Sequence, residues 1–219
     1  MLYSEEIQIF ILSLQVAGVG VLVCLPFALF AGWILSRKEF FGKSLFDTFL
    51  SLPLVLPPVV TGYALLFLFS DGSILDRWFG IGKMDILFTW IAASLAAGIV
   101  SLPIMIRSIE VAFSSVDKNL EFVSRSLGAG YWLTFFKITL PLSRKGIYAG
   151  IILAFGRAIG EFGATIVVAG NIPGKTQTLP LAIFTSLQTG DDQSALRYIL
   201  LSVVLAFFVL IVHRKLINH

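Results

Sequence analysis

Five long apolar stretches, separated by short polar segments, constrain this sequence more than any other feature. They cover residues 7–35, 50–69, 86–106, 147–169 and 195–212. Because a hydrocarbon core of about 30 Å takes roughly 20 apolar residues per helix, each stretch approaches or exceeds the length of one membrane span. Backbone groups find no water partners in lipid, so we expect all five stretches to be helical.

The composition agrees with a membrane location. Charged residues make up 13% of the 219 residues and hydrophobic residues 57%, whereas a soluble domain has about 25% charged residues. The lone Cys24 and the terminal His213 and His219 offer no disulfide and no metal centre within the spans. The sequence therefore predicts an all-α polytopic membrane protein, one domain over residues 1–219, with no nucleic-acid partner and no bound metal.

The basic residues indicate how the chain is oriented. Eleven of the 16 Lys and Arg residues fall in segments on one side of the predicted spans, and Arg157 alone lies deep within a span. Four fall on the other side: Arg77, Lys83, Lys175 and Arg197. Since cytoplasmic loops carry the excess of basic residues, we expect the N-terminus outside and the C-terminus inside. The longest inner loop then covers residues 107–146, between spans three and four.

This inner loop contains a predicted amphipathic helix. Asp117 is a typical helix-start residue, and Gly128 is a typical helix end. From the residue before Asp117 onward, apolar side chains recur at spacings of four, three and four residues, on one helical face: Val116, Leu120, Val123 and Leu127. From the residues alone two interpretations stay open, a helix lying on the lipid headgroups and a helix docking a cytoplasmic partner.

Gly128 is followed, after nine residues, by Ile138-Thr-Leu140-Pro141. This spacing resembles the EAA loop of bacterial ABC-importer permeases. The front half of the motif departs, since Phe122, Val123 and Ser124 stand where Glu-Ala-Ala is expected and Glu121 comes one position early. The resemblance implies a cytoplasmic coupling helix that docks into a separate ATPase. The implied coupling residues are Val116, Leu120, Glu121, Val123, Leu127, Gly128, Ile138, Leu140 and Pro141.

The chain itself is not predicted to bind ATP or to carry a catalytic site. Its segments 42–44 and 174–176, Gly-Lys-Ser and Gly-Lys-Thr, end like a P-loop, but Arg37 and Ala169 occupy the place of the first glycine. A P-loop also needs a strand before it and a helix after it. We therefore expect no cofactor in this chain, and ATP and Mg²⁺ to be used by the partner ATPase.

Two further segments mark the membrane interior. Residues 52–63 contain three prolines and a glycine, which must break or kink the second span. Discontinuous helices often mark substrate paths in transporters, although a kink needed only for packing is the alternative. In the fourth span, Arg157 and Glu161 are four residues apart and should pair on one helical face, either as a structural pair or as part of a path. The candidate path residues are Pro57, Pro58, Thr61, Tyr63, Arg157, Glu161 and Thr165.

Residues 52–63, 160–166 and 170–184 closely resemble the molybdate and sulfate permease family, and the resemblance extends over most of the chain. It implies the permease subunit of an ATP-driven importer of molybdate or tungstate in the bacterial inner membrane, working by alternating access. Implied partners are a second copy in a homodimer, two cytoplasmic ABC ATPase subunits and an extracytoplasmic molybdate-binding protein.

The outer loop is the expected docking place of that binding protein, with Asn171, Lys175 and Thr176 as candidate contacts. A short helix over residues 179–187 is expected at the outer mouth. A sulfate permease is the nearest alternative function, and a stand-alone channel or ion-coupled carrier is a more remote one. An intramembrane enzyme is disfavoured because the spans lack a histidine, a pair of carboxylates or a Ser–Lys constellation.

Overall fold

The computed structural model describes residues 2–73, 76–77 and 86–218. Lys83, counted above among the outer basic residues, lies outside them. Nine helices lie wholly within the described parts: α1 Leu2–Arg37, α2 Lys43–Val55, α3 Pro58–Phe69, α4 Trp90–Ser114, α5 Lys118–Ser126, α6 Tyr131–Ile159, α7 Gly163–Ala169, α8 Leu179–Thr189 and α9 Asp192–Asn218. Helix α6 includes a π-helical turn at Phe135–Thr139.

Four of these helices, α1, α4, α6 and α9, are long and apolar enough to cross a membrane. Helices α2 and α3 meet the same test together but are bent by 108°, so they form a broken fifth span or a re-entrant segment. The predicted all-α fold with about five spans is therefore confirmed as four or five candidate spans within the described residues. The assignment of inside and outside stays a prediction.

Helix α4 lies at the centre of the bundle, where small side chains allow close packing. Its buried stripe includes Ala92, Ala93, Ala96 and Ala97. A Cβ atom added at Gly98 would lie 2.5 Å from the carbonyl oxygen of a glycine on α1. Small residues at such crossings let the backbones approach, which strengthens packing in a setting where lipid offers no hydrophobic drive between helices.

The second span is broken rather than kinked, which is one of the two outcomes that its prolines predicted, and it begins at Lys43 rather than at residue 50. Helix α2 ends at Val55, the backbone is extended at Leu56 and Pro57, and α3 begins at Pro58. Proline has no N–H to donate and disfavours helical geometry in the residue before it. Two consecutive prolines therefore divide the predicted span into two helices.

The third and fourth spans also differ from their predicted bounds. Helix α4 continues past residue 106 to Ser114, where Ile109, Ala112 and Phe113 are buried in the core and Arg107 pairs with Glu110 and Asp47. Helix α6 begins at Tyr131 and ends at Ile159 rather than covering residues 147–169. The predicted inner loop of residues 107–146 therefore shrinks to residues 115–130, with α5 as its only complete helix in the described structure.

The two ends of the bundle collect different segments. At one, the end of α1 contacts the segment after α4, where Arg37 donates to the Val116 carbonyl at 3.0 Å; we call this the basic end. At the other, the opposite end, Ser13 Oγ accepts a hydrogen bond from the Leu179 N–H at 2.8 Å.

Candidate functional site

Helix α5 presents an exposed apolar stripe at the basic end. Asp117 caps the helix by accepting the Asn119 N–H at 2.8 Å, and the chain turns at Gly128 with a φ of 89°. The side chains of Leu120, Val123 and Leu127 are exposed, Leu127 by 83%. These three side chains and Ile138 line a shallow groove of about 470 Å³. After Gly128 the chain therefore turns back, so that Ile138 lies beside the three exposed side chains.

Val116 does not belong to this stripe, which corrects the four-residue face predicted from the sequence. It precedes α5, is only 5% exposed, and its carbonyl accepts the hydrogen bond from Arg37. Phe122, which sequence reasoning assigned no role, is exposed on a different face of α5. The exposed stripe of α5 therefore comprises three side chains, and Val116 is a buried residue just before the helix begins.

Glu121 points into the protein and ties α5 to two other helices. Its Oε1 atom lies 2.9 Å from Arg37 Nη2 at the end of α1 and accepts a hydrogen bond of 2.7 Å from Thr139 in α6. The two charged side chains are 7% and 18% exposed. Removing one partner of such a buried pair typically costs about 3–5 kcal/mol. The pair fixes α5 relative to the spans, and sequence reasoning missed Arg37 because it lies far from Glu121 in the chain.

Leu140 and Pro141 begin the regular part of α6, directly after its π-helical turn. Pro141 has no N–H to donate within the helix, and the π-helical turn directly before it already departs from regular α-helical bonding. Leu140 is half-buried and packs against the core. These two residues therefore direct the span away from the groove and do not form part of the exposed stripe.

The two broken helices meet at their breaks. A Cβ atom at Gly62 in α3 would lie 2.8 Å from the Cα of Ala164 in α7, and one at Gly163 would lie 2.9 Å from Pro58 Cβ. The proline break before α3 therefore packs on the break at residues 160–162, before α7. The sequence identified both segments but did not predict this contact.

Arg157 and Glu161 form the predicted ion pair, at 2.8 Å between Nη1 and Oε2. Helix α6 ends at Ile159. Glu161 therefore lies in the break before α7, and does not share a helical face with Arg157 as the sequence predicted. Its other oxygen accepts the Ala164 N–H at 2.8 Å, which caps α7. The side chain of Glu161 is 1% exposed and that of Arg157 is 31% exposed. Of the two, only the Arg157 side chain is therefore accessible from outside the chain.

The remaining candidate path residues divide between surface and interior. Pro57 and Tyr63 are exposed and Pro58 is half-buried. Thr61 and Thr165 are buried; Thr165 Oγ1 donates to the Glu161 carbonyl at 3.3 Å, whereas Thr61 Oγ1 has no partner among the described residues. Pro57 and Tyr63 are therefore exposed beside the α2–α3 break, whereas Arg157 is half-buried.

The loop before α8 holds the candidate docking residues at the opposite end. Lys175 is exposed and lines a cavity of about 900 Å³ together with Glu5, Gln8 and Gln177. Thr176 is fully buried and accepts the Ile172 N–H at 3.0 Å, so it shapes the loop and offers no side chain to a partner. Asn171 is half-buried and donates to Thr185 at 2.7 Å.

Helix α8, Leu179–Thr189, confirms the short helix predicted after this loop. It ends at Gly190, which has a φ of 73°. Asp191 then accepts the Ser194 N–H at 3.1 Å at the start of α9. Hydrogen bonding by Ser194 lowers the pKa of Asp191. Within the described residues, no group of three or more His, Cys, Asp and Glu side chains is placed to hold a metal ion.

The sequence matches a known protein family. The model of the family described as "Binding-protein-dependent transport system inner membrane component" matches residues 25–218. This match includes α5, both helix breaks and the loop that carries Lys175. It extends over most of the chain.

Similar proteins of known name include transport permeases for two anions. The molybdenum transport system permease protein ModB of Escherichia coli (strain K12) is 47% identical over 96% of this chain and 93% of that protein. The ModB protein of Haemophilus influenzae is 43% identical over 94% of this chain and 91% of that protein. The sulfate transport system permease protein CysT of E. coli is 36% identical over 77% of this chain and 61% of that protein.

Solved structures share the fold at low sequence identity. A chain of the inward-facing MetNI methionine ABC transporter superposes with a TM-score of 0.69 at 15% identity, covering 94% of this chain and 92% of that chain. A chain of a bacterial ABC transporter involved in alginate import gives a TM-score of 0.70 at 14% identity, covering 95% and 79%. The overall fold is therefore one that is seen in ABC importers.

Proposed function

The chain belongs to the family of inner membrane components of binding-protein-dependent transport systems, and on this premise we propose that it is the permease subunit of an ATP-driven molybdate importer. The 47% identity to a molybdenum permease over nearly the full length of both chains carries this proposal. The chain is a multi-pass protein of the inner membrane. As the permease component it is not the catalytic subunit, and a separate ATPase uses ATP and Mg²⁺.

The coupling role of α5 is supported by its geometry. Its exposed stripe consists of Leu120, Val123 and Leu127. Among the described residues, these side chains line an open groove with Ile138 and are not covered by another helix. The opposite face is anchored to α1 and α6 through Glu121. A helix that is apolar outward and fixed inward can transmit a displacement from an ATPase to the spans. The basic end would then face the cytoplasm, as the charge distribution predicts.

A homodimer with the path at its two-fold axis is supported by the exposed surface at the α2–α3 break. Pro57, Tyr63 and Arg157 lie at the surface of one chain, and a second copy would supply the facing wall. The Arg157 guanidinium would attract a tetrahedral dianion. Glu161 would weaken that attraction, so that the anion can leave the site again. ATP binding would draw the two α5 helices together and open the path outward, and hydrolysis would reset it inward.

The opposite end is the proposed docking place for an extracytoplasmic molybdate-binding protein. Support comes from Lys175, which is exposed beside the cavity of about 900 Å³, and from the loop whose shape the Thr176 hydrogen bond fixes. Asn171 is engaged with Thr185, so we assign it to the support of the loop. An exposed cation on a rigid loop is suited to steering a partner into place.

Substrate choice is testable by competition. Proteoliposomes containing this chain, its ATPase and the binding protein should take up labelled molybdate only with ATP, and excess tungstate should compete. Excess sulfate should compete much less, although a sulfate permease is also a relative. Equal competition by sulfate would contradict the substrate assignment, and uptake without the ATPase would favour a stand-alone carrier.

A further inference from the structure

A small basic cavity lies at the basic end between α1, α5 and the start of α6. Its volume is about 280 Å³. Its lining includes four cations and one carboxylate: Arg37, Lys38, Lys118, Arg125 and Glu121. Since Glu121 balances only one of these cations, the lining carries an excess of three positive charges and is suited to an anion.

The buried member of this lining has unused donors. The side chain of Arg37 is 7% exposed, and its Nη2 atom serves both Glu121 and the Val116 carbonyl. Its Nε and Nη1 atoms have no hydrogen-bond partner within the residues that the structure describes. Buried donors of a charged group normally have partners. The guanidinium at the back of the cavity therefore has donor capacity and positive charge left for a ligand.

An apolar groove of about 430 Å³ adjoins this cavity. Its lining consists of hydrophobic and aromatic side chains, among them Leu29, Phe30 and Trp132. Trp33, Tyr131 and Phe135 line both spaces and form the wall between them: they are the shared aromatic wall.

Two of the cations sit on this shared aromatic wall. Lys38 Nζ lies 5.6 Å from the centre of the Trp33 ring, and the guanidinium carbon of Arg125 lies 4.9 Å from the centre of the Tyr131 ring. Such cation–π contacts hold the charges beside the rings. The positive charge is thus held at the border between the basic cavity and the apolar groove.

We propose that the cavity and the groove together bind one anionic phospholipid, with its phosphate in the basic cavity and an acyl chain in the groove. Aromatic side chains of this kind collect where the membrane meets water, and basic pockets between spans bind anionic headgroups. A free anion would leave the groove uncovered, and a zwitterionic headgroup would bring its own cation toward the four that line the cavity. The bound lipid would bridge α1, α5 and α6, which Glu121 already joins.

Native mass spectrometry of the full chain in detergent tests this proposal. Dioleoyl phosphatidylglycerol and dioleoyl phosphatidylcholine are titrated separately against the chain and against a Lys118→Gln/Arg125→Gln variant. Both replaced side chains are exposed, so the fold should be retained. The first phosphatidylglycerol should bind at least about tenfold more tightly than phosphatidylcholine, and the variant should lose about tenfold of that affinity.

A Lys137→Gln/Arg144→Gln variant is the matched control, because it removes the same charge from exposed residues that do not line the cavity. It should bind phosphatidylglycerol like the unmodified chain. Equal affinity for the two lipids, or equal losses in the two variants, would overturn the proposal. Displacement of the lipid by an equal concentration of inorganic phosphate would also overturn it, since it would identify a site for a free anion.

Discussion

Two arginine–glutamate pairs occupy different regions of this molecule and illustrate two ways of using the same chemistry. Arg157 and Glu161 are four residues apart and stabilise a break inside the membrane. Arg37 and Glu121 come from distant parts of the chain and join a surface helix to two spans. The first pair makes an interruption of a helix tolerable, while the second makes a loop helix rigid. The first therefore belongs to the proposed path and the second to the proposed coupling.

Replacing Glu161 with Ala should have the largest effect. It leaves Arg157 without its carboxylate and removes the cap of α7, and breaking a buried pair costs about 3–5 kcal/mol. Unfolding in detergent should show that loss of stability, and molybdate uptake should fall to background. The double variant Arg157→Gln/Glu161→Gln leaves no unpaired charge and should recover most of the stability. A single variant as stable as the unmodified chain would show that the pair is not structural.

The contact between the two breaks should respond to one added methyl group. Gly62→Ala places a Cβ 2.8 Å from the Ala164 backbone, and such overpacking typically costs about 1–3 kcal/mol. Gly18→Ala is the control, since its Cβ would meet only Phe155, at 3.9 Å, and the helix propensity gained is the same. Unfolding midpoints of the two variants should differ. Equal midpoints would mean that α3 and α7 are not closely packed.

Glu121→Gln should affect coupling more than stability. The amide can still accept the hydrogen bond from Thr139, but the charge opposite Arg37 is lost, so we expect only part of the about 3–5 kcal/mol that breaking a buried pair costs. ATP hydrolysed per molybdate transported should rise because α5 is less firmly held. Glu110→Gln is the matched control, since Arg107 keeps Asp47 as a partner. The same ratio in both variants would argue against Glu121 as an anchor.

The smallest effect is expected at the opposite end. Lys175→Ala should leave stability unchanged and raise the concentration of binding protein needed for half-maximal uptake by about two- to fivefold, in line with the modest contribution of exposed charges. Lys137→Ala at the basic end is the control and should leave that concentration unchanged. An unchanged value for Lys175→Ala would remove this residue from the docking surface.

The difference between the two pairs also shows how far the sequence could predict the structure. The spacing of Arg157 and Glu161 predicted their contact, and the period of Leu120, Val123 and Leu127 predicted the exposed face of α5. Both patterns are local: the α5 face follows helical geometry, and Arg157 and Glu161 meet across four residues although the helix ends between them. The proximity of Arg37 and Glu121 depends on how α1 and the loop after α4 pack, and no local pattern records it.

The helix bounds and the loop residues were missed for related reasons. Apolar stretches predict where spans lie, but α4 extends beyond residue 106 because Ile109, Ala112 and Phe113 are buried in the core. Thr176 was predicted to face a partner because it is polar and lies in a loop. The loop instead uses its hydroxyl to satisfy the Ile172 N–H and the Gly170 carbonyl, a requirement that appears only once the backbone path is known.

The central claim, that the outer stripe of α5 binds the ATPase while its inner face is anchored, is tested most directly by co-purification. Val123→Asp places a charge in the stripe. Phe122→Asp places the same charge on the preceding residue, which is also exposed but points away from the stripe. The account predicts that the ATPase is lost from the purified complex with Val123→Asp and retained with Phe122→Asp. Retention of the ATPase by Val123→Asp would contradict it.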